Sequence, residues 1–160
     1  MMKEDLDIRD QLARHLEGGE AFITVDVLLK EMKFEKLGER PNNLPYSFYE
    51  LFYHIWFTQR DILIYCTAEI YEEFQWPKNY WPENKAPDTV AEWQELQKAY
   101  FDDRKELSDF LMDPKNELMK PVRSGTNHTL LREILIVIEH SSYHNGQLLI
   151  ILRYLGLHSV

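Results

Sequence analysis

Apolar residues recur at helical spacing in four long stretches of the chain and in one short stretch. The first carries apolar residues from Leu6 to Leu16 and stops at the glycine pair Gly18-Gly19, a common helix end. The short stretch follows Thr24 and keeps its apolar residues on one face through Met32. Intervals of three and four residues predict amphipathic helices in both places.

Capping signals mark the starts of two more long helices. Ser47 and Glu50 form a capping-box pattern, in which the serine hydroxyl accepts an early N–H and the glutamate reaches back to the cap. The apolar pattern after them predicts a helix to about Phe74. Thr89 and Glu92 repeat this pattern and predict a helix that Asp113-Pro114 ends.

The last stretch, 129–155, predicts a further long helix, and Gly156 ends it. Residues 38–45, 76–88 and 115–128 have the composition of loops, and no long alternating pattern indicates a strand. The sequence therefore predicts an all-α fold, a four-helix bundle with a short extra helix and long connecting loops. We expect a single domain over residues 1–160.

Composition and charge argue against nucleic-acid and membrane partners. The formal net charge is −9 and the basic residues form no stripe, whereas a phosphate backbone attracts clustered lysine and arginine. The longest apolar runs, 134–138 and 148–152, are too short to span a membrane, and the charged N-terminus lacks a signal-peptide core. Cys66 is the single cysteine, which fits a small buried residue and a reducing cytoplasm.

Three histidines are candidate metal ligands. His140 and His144 are four residues apart, so on a helix they project from the same face one turn apart and can bind one ion together. His54 lies at the edge of the apolar stripe of the helix that begins after Ser47 and faces other helices. Bundles build metal sites from facing helices, and three imidazoles leave a coordination position for water or a substrate atom.

The same histidines also fit a site without metal. A half-buried histidine with one hydrogen bond is the more common role for a residue such as His54. The HExxH motif of zinc proteases is missing, because Ser141 follows His140. Spacing alone leaves open whether the three histidines hold a metal or are satisfied by neighbouring carboxylates.

Further polar and aromatic residues are candidates for supporting roles. Helical spacing places three carboxylates near the faces of the histidines, where each could orient an imidazole or act as a general base: Glu50, Asp61 and Glu133. Exposed or interhelical charge explains them equally well. Candidate pocket residues are Tyr143, Gln147 and Trp81, although packing also explains these. The remaining histidines lack partner spacing, and we interpret them as surface residues: His15, His128 and His158.

The most specific sequence pattern lies in the last helix. It reads His140-Ser-Ser-Tyr143-His144-Asn-Gly146-Gln147 and continues to Arg153-Tyr-Leu155-Gly156. This is similar to the ending H-x-x-Y-H-x-G-Q…R-x-L-G of the DinB-like proteins, a superfamily that includes YfiT-type metal-dependent hydrolases and thiol-dependent transferases. The likeness extends to four other segments: Leu131-Arg132-Glu133, Tyr80-Trp81-Pro82, Ile8-Arg9-Asp10-Gln11-Leu12 and Leu16-Glu17-Gly18-Gly19.

The resemblance implies a four-helix bundle, commonly a homodimer, with nickel, zinc or a similar divalent ion on the three histidines. The resemblance also implies that His54 occupies the position of the family's first metal ligand. Members with an activity use a low-molecular-weight thiol such as bacillithiol, mycothiol or glutathione, so it implies a thiol-dependent transferase or a hydrolase acting on a small molecule. Ser141-Ser142 stands where related sequences often have Asn-Ala, which affects hydrogen bonding around the ligands. The alternative is a non-catalytic ligand-binding or stress-response protein with a structural metal or none.

Overall fold

The computed structural model describes residues 3–159, and most of these lie in five α-helices. The helices are α1 (Lys3–Glu17), α2 (Val25–Glu31), α3 (Phe48–Thr67), α4 (Val90–Met112) and α5 (Leu130–Tyr154). Two 3-10 turns, Phe34–Lys36 and Pro41–Asn43, lie between α2 and α3. The described residues form no strand, so the predicted all-α class is confirmed. Residues 1, 2 and 160 of the predicted 1–160 domain lie outside the described part.

The four long helices form the bundle and α2 is the short extra helix. Helix α3 packs against α4 and α5, α1 packs against the same two helices, and α2 contacts α5. One apolar cluster joins α2, the first halves of α3 and α4 and the end of α5; a second joins α1, the later parts of α3 and α4 and the start of α5. Helices α3 and α5 are therefore antiparallel. No helix in residues 3–159 is long and apolar enough to cross a membrane.

Local capping signals define where the long helices begin. The Ser47 hydroxyl accepts the Glu50 N–H at 3.2 Å, and the Glu50 carboxylate accepts the Ser47 N–H at 2.7 Å, so the predicted capping box is complete. The Thr89 hydroxyl accepts the Glu92 N–H at 3.1 Å, but the Glu92 carboxylate accepts the N–H of Asp88 instead. The second predicted box is therefore only half formed.

Helix α3 ends earlier than its apolar pattern predicts. The prediction of a helix to about Phe74 is wrong, because α3 ends at Thr67 and Ala68 is extended with ψ of 139°. The Arg123 guanidinium donates to the carbonyls of Tyr65, Ala68 and Glu69 at 3.0, 2.7 and 3.0 Å. These bonds satisfy carbonyls that would otherwise lack partners at the helix end. A distant arginine thus supports the early end, and the chain turns away to form a long loop over α3.

A layer of buried polar side chains separates the two apolar clusters. Arg104 of α4 is 5% exposed and donates to the side chains of Gln59, Tyr100 and Ser141. The Tyr100 and Ser141 oxygens lie 2.7 and 3.2 Å from Nη2 of Arg104. The layer connects α3, α4 and α5 and includes Ser141, which is adjacent in sequence to His140. No periodic pattern in the sequence predicts this layer.

Candidate metal centre

The packing of α3 against α5 brings the three predicted ligands together. His54 comes from α3, while His140 and His144 come from α5, and one ring nitrogen from each lies within 4.8 Å of the others. The Nε2 atoms of His54 and His140 are 3.1 Å apart. Since the two helices are antiparallel neighbours, residues 86 positions apart in sequence face each other here.

Hydrogen bonds orient two of the three imidazoles. Nδ1 of His54 lies 3.1 Å from the backbone carbonyl of Tyr80, and a carbonyl only accepts, so Nδ1 carries the proton. Nδ1 of His144 likewise donates to the amide oxygen of Gln147 at 2.6 Å. Both rings are left with the Nε2 lone pair as the available metal-binding atom.

Burial keeps the histidines in the form that binds metals. The pKa of His54, which is only 4% exposed, is lowered to about 4 mainly by burial, against the opposing effect of the Tyr80 carbonyl. Burial and the two neighbouring histidines lower the pKa of His140 to about 3, and burial also lowers the pKa of His144. All three imidazoles are therefore neutral at pH 7, as metal coordination requires.

The donor set fits a divalent transition metal. An ion bound tetrahedrally, roughly 2.0–2.1 Å from each nitrogen, holds two ligand nitrogens about 3.3 Å apart. The observed 3.1 Å between the Nε2 atoms of His54 and His140 is close to that spacing, and a ring nitrogen of His144 lies within 4.8 Å of the other two ligand nitrogens. Three neutral imidazoles suit zinc, nickel, copper and iron, so the donor set does not select among them. The cluster is compatible with the predicted metal site.

Aromatic side chains surround the histidines. The Trp81 ring stacks on His54 at 4.3 Å between centroids with 3° between planes, and its other contacts include Tyr46. The Trp76 ring meets His54 edge-on at 6.0 Å, and the Tyr143 ring meets His144 at 4.8 Å. Trp76 and Tyr143 are each 65% exposed. Trp81 therefore covers one face of His54, while the other two rings flank the solvent side.

The three candidate carboxylates do not hydrogen-bond to these histidines among the described contacts. Their partners are Arg40 and the Ser47 cap for Glu50, the hydroxyls of Tyr71 and Tyr80 for Asp61, and Arg132 with His128 for Glu133. Helical spacing predicted that these carboxylates lie on the same sides of the helices as the histidines. Residues from loops and from neighbouring positions bind their oxygens instead. The acceptors that orient the imidazoles are the Tyr80 carbonyl and Gln147. A general-base role for any of the three remains a prediction.

The three remaining histidines differ in their surroundings. His15 is exposed, as expected of a surface residue. His128 lies 3.6 Å from the Glu133 carboxylate, and Nδ1 of His158 lies 2.7 Å from the carboxylate of Glu31. The His158 side chain is only 12% exposed, so its assignment to the surface is wrong. Its partner is 127 residues away, which no local spacing reveals.

Cys66 is a buried thiol on α3. Burial, followed by the charge of Glu133, raises its pKa to about 12. The group is therefore protonated at neutral pH and is a poor nucleophile. The structure therefore supports the interpretation of Cys66 as a small buried residue.

Comparison with known families places this histidine cluster in context. The family model of the DinB superfamily matches residues 24–148, a range that contains all three histidines. The resembling segments at Ile8–Gly19 and Arg153–Gly156 lie outside this range. No curated protein and no solved structure matches the chain. Because the match covers most of the sequence, and the bundle and histidine cluster agree with it, the chain belongs to the DinB superfamily.

Proposed function

We propose that the protein is a metal-dependent enzyme that acts on a small molecule, either by transferring a thiol or by hydrolysis. The resident ion is zinc or nickel, held by His54, His140 and His144. The observation that carries this proposal is the convergence of three neutral imidazoles within 4.8 Å on two facing helices of a DinB-superfamily chain. Enzymes with three protein ligands keep another coordination position for water or substrate.

The charge of the donor set favours an anionic reactant. Three neutral imidazoles leave the full charge of a divalent ion uncompensated, so a hydroxide or a thiolate is a favourable additional ligand. A bound divalent ion supplies Lewis acidity, which lowers the pKa of a coordinated water or thiol. This chemistry supports both hydrolysis and transfer from bacillithiol, mycothiol or glutathione.

The protein's own groups have distinct tasks at the site. The Tyr80 carbonyl and the Gln147 amide oxygen hold the Nδ1 protons, so that Nε2 of His54 and His144 is available. Trp81 shields the stacked face of His54 from water. Trp76 and Tyr143 present exposed rings where a small molecule would approach. Their planar surfaces suit an apolar part of the substrate.

Elemental analysis tests the metal site before any activity is assumed. The purified, untagged protein is compared with His54→Ala, with the double variant His140→Ala/His144→Ala, and with His15→Ala as an exposed-histidine control. We expect one equivalent of a divalent metal in the parent and the control, and less than a tenth of that in the site variants. Full metal content in His54→Ala would overturn the three-ligand arrangement.

Activity assays then separate the two reactions. The metal-loaded protein is tested on small electrophiles with and without each thiol, and on ester and amide substrates without thiol. Turnover that requires the thiol identifies a transferase, and turnover without it identifies a hydrolase. Stoichiometric metal with no turnover in either series would favour the non-catalytic alternative.

A further inference from the structure

The loop after α3 is attached to α3 through one carboxylate. The Tyr71 hydroxyl donates to one oxygen of Asp61 at 2.8 Å, and the Tyr80 hydroxyl donates to the other oxygen. Burial and the Asp61 charge raise the pKa of both tyrosines, so both hydroxyls remain donors at neutral pH. Asp61 thus binds two points of the loop at once.

Tyr80 contacts two places on α3 with two different groups. Its side-chain hydroxyl reaches Asp61, while its backbone carbonyl accepts the Nδ1 proton of His54 at 3.1 Å. Asp61 follows His54 by seven residues, which is about 10.5 Å along a helix axis. Tyr80 is therefore held at both its side chain and its backbone, and the Asp61 contact restricts where its carbonyl lies.

The carbonyl determines which nitrogen of His54 is available. A proton held on Nδ1 leaves the lone pair on Nε2, the atom that lies 3.1 Å from Nε2 of His140. The next residue, Trp81, stacks on the same ring with 3° between planes, so the loop also fixes the ring's orientation. Neither of these two contacts is a hydrogen bond between His54 and a carboxylate.

We propose that Asp61 is a positioning residue for His54, acting through Tyr80. Asp61 holds the Tyr80 hydroxyl, the Tyr80 carbonyl holds the Nδ1 proton of His54, and Nε2 of His54 is thereby directed at His140 and His144. The connection uses protein groups alone. Its effect on metal affinity rests on the proposed function, whereas its effect on the His54 tautomer does not.

Tyr71 provides a matched control for this connection. Its hydroxyl donates to the same carboxylate, and both tyrosines are partly buried. The hydrogen bond to His54, however, comes from the backbone of Tyr80. Tyr71→Phe and Tyr80→Phe therefore remove equivalent hydroxyls from Asp61, but only the second removes the anchor of the carbonyl at His54.

Nitrogen-15 NMR of the metal-free protein reads the His54 tautomer directly. Spectra are compared for the parent, Asp61→Ala, Tyr80→Phe and Tyr71→Phe, with the His54 signals assigned by their loss in His54→Gln. We expect a single Nδ1–H tautomer in the parent and in Tyr71→Phe, and a mixture of tautomers in the other two variants. Thermal unfolding of the same samples shows whether each variant is folded.

Zinc affinity is the second measurement. Loss of a group that orients a metal-binding histidine typically lowers affinity by about 10–100-fold. We expect that loss for Asp61→Ala and Tyr80→Phe and a change below about threefold for Tyr71→Phe. A folded Tyr80→Phe variant with the parent tautomer and parent zinc affinity would overturn the proposal, as would equal losses in the two tyrosine variants. If the parent binds no metal, the proposed function fails, and the tautomer comparison still decides the role of Asp61.

Discussion

The zinc affinity of this site should be almost insensitive to mild acid. A histidine with an ordinary pKa of about 6.5 is protonated in roughly ten of eleven molecules at pH 5.5, so three such ligands would cost about a thousandfold in affinity. The pKa values of His54 and His140 are about 4 and about 3. At pH 5.5, protons occupy His54 in only about one molecule in thirty. Because the pKa of His144 is lowered as well, we expect less than a tenfold loss between pH 7.5 and 5.5.

Calorimetry in weakly coordinating buffers tests this expectation through affinity and proton release together. Titrations at each pH in two buffers of different ionisation enthalpy give the number of protons released per zinc ion, and at pH 5.5 this number should stay below one. A peptide of residues 136–150 carries His140 and His144 without the surrounding bundle, and its zinc binding should weaken steeply over the same range. A thousandfold loss with two or three protons released by the folded protein would show that burial does not keep these ligands neutral.

Three further predictions concern stability. First, the pKa of His54 is lower in the folded than in the unfolded protein. Its contribution to the stability of the folded state is therefore fully present above pH 6.5 and is lost as the pH falls below that value. The free energy of unfolding of the metal-free protein, measured in urea, should fall by about 2 kcal/mol more between pH 7 and pH 5 than that of His54→Gln. Equal decreases would contradict the lowered pKa of His54. Second, Arg104→Met leaves three buried acceptors without their donor and should cost roughly 2–4 kcal/mol in urea unfolding. The exposed control Lys98→Met should cost less than about 0.5 kcal/mol, and similar costs would refute the importance of the buried layer. Third, Ser47→Ala should lower the melting temperature more than Thr89→Ala, because the Ser47 hydroxyl also donates to the Lys85 carbonyl at 2.6 Å and each lost cap costs about 1 kcal/mol. A larger effect at Thr89 would refute this ranking.

The end of α3 could not be predicted from the sequence, whereas its start could, and the reason is physical. A start is defined by a cap within a few residues, as at Ser47, and such local signals are visible in the sequence. The end of α3 is set instead by Arg123, which binds the carbonyls of residues more than fifty positions earlier. The end of α4 was predicted from Asp113-Pro114, yet here too a distant residue takes part, since Arg9 donates to the carbonyls of Leu111 and Asn116.

The histidine cluster was predictable from the sequence, whereas the groups that orient its imidazoles were not. Two helical faces were enough to single out His54, His140 and His144, because helical spacing fixes which side chains share a face. The acceptor for His54 is a backbone carbonyl in an irregular loop, and every residue carries such a carbonyl. No residue type could therefore reveal it. Asp61 was identified as a candidate, but its connection through Tyr80 depends on how the loop folds back over α3.

A bound ion would also act as a cross-link within the chain. His54 and His140 are 86 residues apart, so an ion held by both closes a loop that includes most of α3, all of α4 and the start of α5. Opening any part of this loop that moves one of the histidines would release the ion, so metal binding adds its own free energy to the cost of opening. Helices α1 and α2 lie outside the closed loop. Metal loading should therefore slow amide exchange most in the segment between the ligands and least in α1 and α2.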